Sequence, residues 1–475
     1  PAKILAYKWT GKWRQIPVQI DERHVVDARS LYPAGSKGYL NLPVGTFDVE
    51  VYADPKTRSG ADANPRFDAD DELVFMAGDS GKQAPASALA PKGVDPASAT
   101  RIKVKDPAGG AAWVYLFKTT AKKADQSAGK DYVSYDFKLT RLGPGQKLID
   151  HYGYQDSNNP EDSTVKTASY ELHSTDRWNE DELRITAGGA PGNDILDREA
   201  VSAGSLGRCG RSEYTFSGNW ERGSNTDEGT YLVIKDGPVR ALRAYMGANS
   251  GPYVEDVHVY YADREDRNVN VRVHPIPHMY VWTDLNESAI GMVYRDEKNL
   301  EGLTIDGEPK SPVPPDPEDL EDGNYVWQQV AGNQGSITTM VAARTGNLTE
   351  NDLTLFDFAG YYLDDSTPSS SSSDRERQCG GDMKSYGASG FGIDGTYPNT
   401  DPRLGLPANP ARDLSVDRVR YFSGPGASAA EAEALRTRAQ HPLIGTATST
   451  RVKARSVKLK VRRQGKKPVA RPGKR

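Results

Sequence analysis

The feature that most constrains this chain is a repeated alternation of apolar and polar residues over four to eight positions. It recurs in roughly fifteen runs bounded by Gly, Pro, Asn or Asp, among them residues 3–7, 15–20, 112–118, 239–246, 254–261, 268–274, 336–343 and 416–423. A period of two sends one face of a strand into a core and the other into water, the habit of antiparallel sheets. One segment reads as helix: residues 428–440 (SAAEAEALRTRAQ) follow a Gly-Pro-Gly turn and stop before His441-Pro442. The predicted fold class is all-β, with a small N-terminal β-sandwich, a large antiparallel two-sheet sandwich and one short C-terminal helix.

Domain boundaries follow from composition shifts along the 475 residues. Residues 82–99 are rich in Pro, Ala and Ser, and 120–131 are small and polar, so an N-terminal β domain is expected over 1–125. A large sandwich is expected over 126–445. The Pro- and acid-rich stretch 308–323 reads as a surface excursion within it. Residues 446–475 form a basic tail or the start of a further module. The formal net charge of −5 is therefore two numbers. Residues 451–475 carry twelve Lys/Arg and no acid, which leaves 48 basic against 65 acidic groups in the rest. The acidic body and the basic tail are expected to have different partners.

Apolar residues make up 36% of the chain, and no apolar run approaches the ~18–20 residues of a spanning helix, so no transmembrane segment is expected. Cys209 and Cys379, both in glycine-rich polar loops, match no metal spacing and are read as one long-range disulfide. With the Gly-, Tyr-, Asn- and Asp-rich body, this points to a secreted, extracellular protein.

Ile16-Pro-Val-Gln-Ile-Asp-Glu and Phe67-Asp-Ala-Asp-Asp-Glu-Leu-Val-Phe place acids at two strand ends. Asp68, Asp70 and Asp71, at i, i+2 and i+3, are candidate ligands for a hard cation such as calcium. The bland reading is a solvated acidic turn. This pairing of P-x-Q-x-D with D-x-D-x-E-L-x-F resembles the start of largely uncharacterised secreted bacterial proteins found beside polysaccharide-degrading enzymes. The resemblance implies a carbohydrate context and supplies no catalytic residue.

The chemistry-bearing candidate is a hairpin over residues 254–278. A turn centred on Asp266 places His258 opposite His274 and Tyr260 opposite Arg272 on one face. His, Tyr and Arg together suit proton abstraction beside a uronate carboxylate. Upstream, Asn249 in a Gly/Ser loop and Arg240 are candidate substrate-binding residues. Arg240 and Arg243 cannot share a strand face, so at least one serves a loop or an ion pair. This strand–loop–hairpin order is similar to large-sandwich carbohydrate-active proteins of the galactose-mutarotase type. Hydrolysis would need two carboxylates instead, with Glu255, Asp256, Asp263 and Asp284 in range.

No G-x-S-x-G, phosphate-cradling G-x-x-x-x-G-K-[ST] or H-E-x-x-H motif occurs. Two readings stand: an extracellular lyase or hydrolase acting on an acidic polysaccharide, or a non-catalytic surface protein binding glycans or protein partners. The tail suits an anionic surface. Lacking aromatics, it is not expected to bind nucleic acid specifically.

Overall fold

The computed structural model describes residues 1–31, 48–139, 143–145, 147, 161–175, 179–203, 214–215, 229–247, 254–271, 278–313, 324–345, 356–367, 384–395, 400–401, 406–407 and 414–453. The alternating runs form strands, and the fold is all-β. Two nine-stranded antiparallel sheets dominate it. Sheet one runs from Phe356–Asp365 through Ser385–Gly395, His278–Leu285, Leu196–Ala203 and Asn179–Ile185 to Tyr170–Ser174, Ser163–Thr167 and Val133–Asp136, with Tyr214–Thr215 alongside Leu196–Ala203. Sheet two runs from Gly229–Lys235 through Ala241–Gly247, Val254–Tyr260, Arg264–Val271 and Leu414–Ser423 to Gly335–Thr345, Val326–Gly332, Val293–Asp296 and Leu303–Thr304.

Apolar side chains from both sheets fill one continuous core. Leu172, Leu183, Val281 and Phe391 of sheet one meet Tyr245, Val269, Val341 and Val416 of sheet two. Removing this surface from water is the main term holding the layers together.

The outer face of sheet two is covered twice, by different elements. On one flank the ribbon Arg23–Asp27/Asp48–Tyr52 sets Val49 and Val51 against Leu232, Leu242, Ala244 and Met246. On the other flank the helix Ala429–Gln440 packs Ala432 on Trp327, Met340 and Val419. Ser428 and Glu431 close a capping box at its N-terminus, which fixes where the helix starts. Val257 and Val259 of Val254–Tyr260 pack beside the ribbon and Val419 and Tyr421 of Leu414–Ser423 beside the helix, with Arg264–Val271 between them.

A five-stranded sheet, ordered Trp13–Ile16, Ile4–Trp9, Ala111–Lys118, Thr100–Lys105 and Ile444–Ser449, carries the N-terminal region. Its last strand straddles the expected boundary at 445 and pairs Ile444 with Lys105 and Ser449 with Thr100. Beside it, Gln19–Asp21 pairs with Glu72–Val74.

The hairpin register differs from expectation. Tyr260 pairs with Glu265 and His258 with Arg267, so the turn is Tyr261-Ala262-Asp263, upstream of Asp266. The Tyr261 N–H donates to the Arg264 carbonyl at 2.7 Å, and the buried Tyr170 hydroxyl donates to the Tyr261 carbonyl at 2.9 Å. The physical reason lies on the inner face. This register sets Arg267 and Glu265 against Asp256 and His258, whereas the expected one would leave those charges without opposite partners. The shift changes parity: Asp266, Asn268 and Asn270 share the face opposite His258.

Candidate functional site

The same three strands build two sites, one on each face. The inner one contains His258 and Tyr260. Four carboxylates (Glu180, Glu199, Asp256 and Glu265), three arginines (Arg267, Arg418 and Arg420) and His258 meet between the sheets, all buried. Arg267 grips Asp256 with two bonds, from Nε to Oδ1 at 2.8 Å and from Nη2 to Oδ2 at 2.6 Å, and reaches Glu199 with Nη1 at 2.8 Å. Arg418 joins Glu199 at 2.5 Å to Glu265 at 2.9 Å. Arg420 donates to Glu265 at 2.6 Å, to Glu180 at 2.7 Å and to Glu199. His258 Nδ1 lies 2.7 Å from Glu265 Oε1, and Nε2 lies 3.3 Å from Asp256 Oδ1.

Three guanidiniums against four carboxylates leave one negative charge, which a proton on His258 balances. Burial pulls the imidazole pKa down. Asp256, and then the hydrogen bonds to Asp256 and Glu265, outweigh burial and Arg267, so it is raised. Glu180 is the one carboxyl of the four pushed up, by burial and by Glu199; its Oε1 has no hydrogen-bond partner and stands 3.7 Å from His258 Nδ1. The nearest ligand atoms of Glu180, His258 and Glu265 fall within 4.8 Å of one another. Arg420 holds the Oε2 atoms of both glutamates, and their Oε1 atoms face His258 Nδ1. Tyr260 stacks on His258 with ring centroids 5.6 Å apart, and burial raises its hydroxyl well above the ordinary value. Beside them Arg243 is held by Glu161, at 3.0 Å and 2.6 Å, and Tyr231 donates to the same carboxylate.

The outer site is an open groove of about 350 Å³ floored by Asp266, Asn268, Asn270 and Asp417, with Tyr52 and Tyr325 among its lining residues. Asn268 donates to Asp417 and, at 2.8 Å, to the Ser415 hydroxyl, while its carbonyl accepts from Asn270 at 2.7 Å. The amide row therefore holds Asp417 as an acceptor. Asp266 takes Arg264 Nη2 at 2.9 Å, and its side chain keeps 33% of its exposure. The protein atoms crowding Asp266, then Glu265 and Asp417, outweigh Arg264 and Arg240 and push its carboxyl up to about 6.

The remaining candidates fall elsewhere. Arg240 is buried at the junction with the N-terminal region, where Asp21 takes its Nε at 2.8 Å and Glu72 its Nη2. Gln19 Oε1 accepts the N–H groups of Val239 (3.2 Å) and Arg240 (3.1 Å). Gln19, Asp21 and Glu72 of the two sequence motifs thus fasten the N-terminal region to sheet two. Asp68, Asp70 and Asp71 do converge, with carboxylate oxygens within 4.8 Å. Asp71 caps its own turn by accepting from Asp68 N at 3.0 Å and ties it to the neighbouring strand by accepting from Arg23 N at 3.1 Å. Asn249, Arg272, His274, Cys209 and Cys379 lie outside the described residues. Of the four carboxylates in range for hydrolysis, Asp256 is buried between the sheets, Asp284 is buried and accepts from the Ser385 hydroxyl at 3.0 Å, Glu255 is buried at the margin of the groove, and Asp263 is exposed in the turn. Asp266 and Asp417 were missed because the expected turn put Asp266 at a hairpin tip. Alternation of Asp266, Asn268 and Asn270 with Glu265, Arg267 and Val269 was the available signal.

No helix among the described residues is long and apolar enough to cross a membrane. No family model and no curated protein matches the chain. Among solved structures, it is similar to an Escherichia coli K12 protein provisionally designated an aldose 1-epimerase, at 10% identity and a TM-score of 0.23 over 54% of this chain and 97% of that one.

Proposed function

We propose that this chain is an extracellular carbohydrate-active protein that holds a glycan along the outer groove of sheet two. The observation that carries the reading is the groove between two covering elements, where part-buried amides and carboxylates form a row beside Tyr52 and Tyr325. Sugar hydroxyls pair with amide and carboxylate groups, and aromatic rings take the apolar faces of pyranose rings. Binding of an oligosaccharide panel followed by calorimetry tests it. Asn270→Ala and Tyr325→Ala are each expected to weaken binding about tenfold, in line with one lost hydrogen bond or stacking contact. Unchanged affinity in both would sink the reading.

The burial of His258 and Tyr260 favours the second reading, a non-catalytic glycan- or partner-binding protein, over elimination chemistry at those side chains. Calcium at Asp68, Asp70 and Asp71 is a separate proposal. The hydrogen bond that protonated Asp68 donates to Asp70, then burial and the charges of Asp70 and Asp71, raise Asp68, and a cation would relieve that crowding in place of a proton. The measurement is a calcium-dependent rise in melting temperature that Asp70→Asn abolishes. Anchoring of residues 451–475 to an anionic surface predicts retention that falls steeply with salt and is lost on their deletion.

A further inference from the structure

We propose that the edge strand Ile444–Ser449 and the apolar groove beside it form a docking site for an extended segment of another protein, one in which apolar and acidic residues alternate. The site lies in the five-stranded N-terminal sheet and does not depend on the sugar reading. Three observations carry it. The first is the edge. Among the described residues Ile444–Ser449 pairs on one side only, with Thr100–Lys105, and all six of its residues are exposed. One bond fixes which backbone groups turn outward. The Thr450 N–H donates to the Ala99 carbonyl at 3.0 Å, one step beyond the Ser449–Thr100 pair. Bonded and non-bonded pairs alternate along an antiparallel ladder. Ile444, Thr446 and Thr448 therefore turn inward to Thr100–Lys105, and Gly445, Ala447 and Ser449 turn their N–H and C=O groups outward.

The second is the groove. Gly445 pairs with Val104 and Ala447 with Ile102, so the outward-turned residues share a sheet face with those two side chains. That face floors an open cavity of about 1480 Å³ whose walls include Ile20, Leu73 and Phe75. Phe67 and Leu443, which also line it, stay 41% and 48% exposed. Within 4 Å, a Cβ added at Gly445 would meet Ile102 Cγ2 alone, at 4.0 Å, so the space over the edge is open. A strand added here sets alternate side chains beside Gly445 and Ala447 and into the cavity. Backbone bonds then give affinity and the alternate side chains give specificity.

The third is charge. Lys3, Arg66 and Lys118 line the cavity, are exposed, and enter no ion pair among the described residues. Lys235 is held by Asp21 and, at 2.9 Å, by the Ile20 carbonyl. Glu22 is the one acid among the described lining residues. On the other sheet face the exposed Lys103 and Lys105 stand opposite Thr446 and Ile444. They lie two strand spacings (~10 Å) from an added strand, about one Debye length. An alternating segment thus turns its apolar side chains into the cavity and its acids toward Lys103 and Lys105. The same field repels this chain's own residues 451–475, with twelve Lys/Arg and no acid.

The test titrates the full chain by calorimetry with dodecanoate and with three capped octapeptides: Val alternating with Glu, Val with Lys, and Ser with Glu. The Val/Glu peptide is expected to bind about tenfold or more tighter than the other two and to slow amide exchange over 444–449. Ala447→Pro removes one outward N–H and no bond to Thr100–Lys105, and Gly445→Phe fills the groove from an open position. Each should weaken the Val/Glu peptide about tenfold, and Thr446→Ser on the opposite face should leave it unchanged. Melting temperatures establish that each variant is folded. No binding of the Val/Glu peptide, equal binding of either other peptide, or full affinity in Gly445→Phe would overturn the proposal. So would binding of dodecanoate alone, or a dimer lost in Ala447→Pro, which gives the edge to a second copy. Peptide binding that appears only on deletion of 454–475 gives the edge to the tail and overturns it too.

Discussion

The two faces of the strands Val254–Tyr260, Arg264–Val271 and Leu414–Ser423 carry similar densities of polar and charged side chains and treat them in opposite ways. On the inner face Asp256, Arg267, Glu199, Arg418, Glu265 and Arg420 are bonded to one another out of water. On the outer face Asp266, Asn268, Asn270 and Asp417 are only partly buried and face an open groove. A buried lattice of ion pairs holds strand register and resists loss of any member. The outer acids and amides are bonded to one another and to Arg264 and Ser415 at the edge of a groove open to solvent. Chemical richness alone is therefore a poor guide to a functional site, and polar groups that border solvent are a better one.

The largest expected effect tests whether the inner lattice is structural. Arg267→Ala or Glu199→Ala strands buried charges and should destabilise the fold by ~3–5 kcal/mol in urea unfolding. Asp417→Asn on the outer face should stay within ~0.5 kcal/mol. Equal losses on both faces would break the comparison.

The pH response sharpens it next. Because the His258 pKa is raised in the folded protein, its stabilisation is complete below the ordinary histidine value of ~6.5 and is lost as pH rises through the raised value. Ionisation of Glu180, also raised, adds loss in the same direction from the ordinary glutamate range upward. The melting temperature should therefore fall on the alkaline side, and His258→Gln should flatten that fall. A slope unaffected by the substitution would remove His258 as the balancing proton.

A third measurement asks whether the inner face does chemistry. With His258 and Tyr260 sealed between the sheets, uronate polysaccharides should give no unsaturated-product absorbance. A rise that disappears in His258→Ala would return the site to the inner face. The smallest effect belongs to Asn270→Ala. It should cost under ~1 kcal/mol of stability, since its partner Asn268 is part-exposed, while still weakening glycan binding.

The strands were legible because period-2 alternation is a direct image of one buried and one wet face, and the helix because Ser428 and Glu431 spell its cap. The ion pairs of Arg240 and Arg243 were half legible, since two arginines three apart cannot both point the same way. Their actual partners, Asp21 with Glu72 and Glu161, are far away in sequence. The hairpin register was not legible. Val254–Tyr260 and Arg264–Val271 alternate equally well in either parity, and what selects between them is the charge on Glu199, Arg418 and Arg420, contributed by other strands. The error moved Asp266 from a strand to a turn tip, and the outer pair vanished with it.

The pairing of Thr100–Lys105 with Ile444–Ser449 has a consequence for how the chain is made. As residues emerge in order, the N-terminal sheet must wait for both large sheets and the helix to be synthesised before its edge is closed. Until then Thr100–Lys105 presents unpaired backbone groups, the kind of edge that recruits strands from neighbouring molecules. Its alternating lysines Lys103 and Lys105 oppose that association through the long interval before Ile444 arrives.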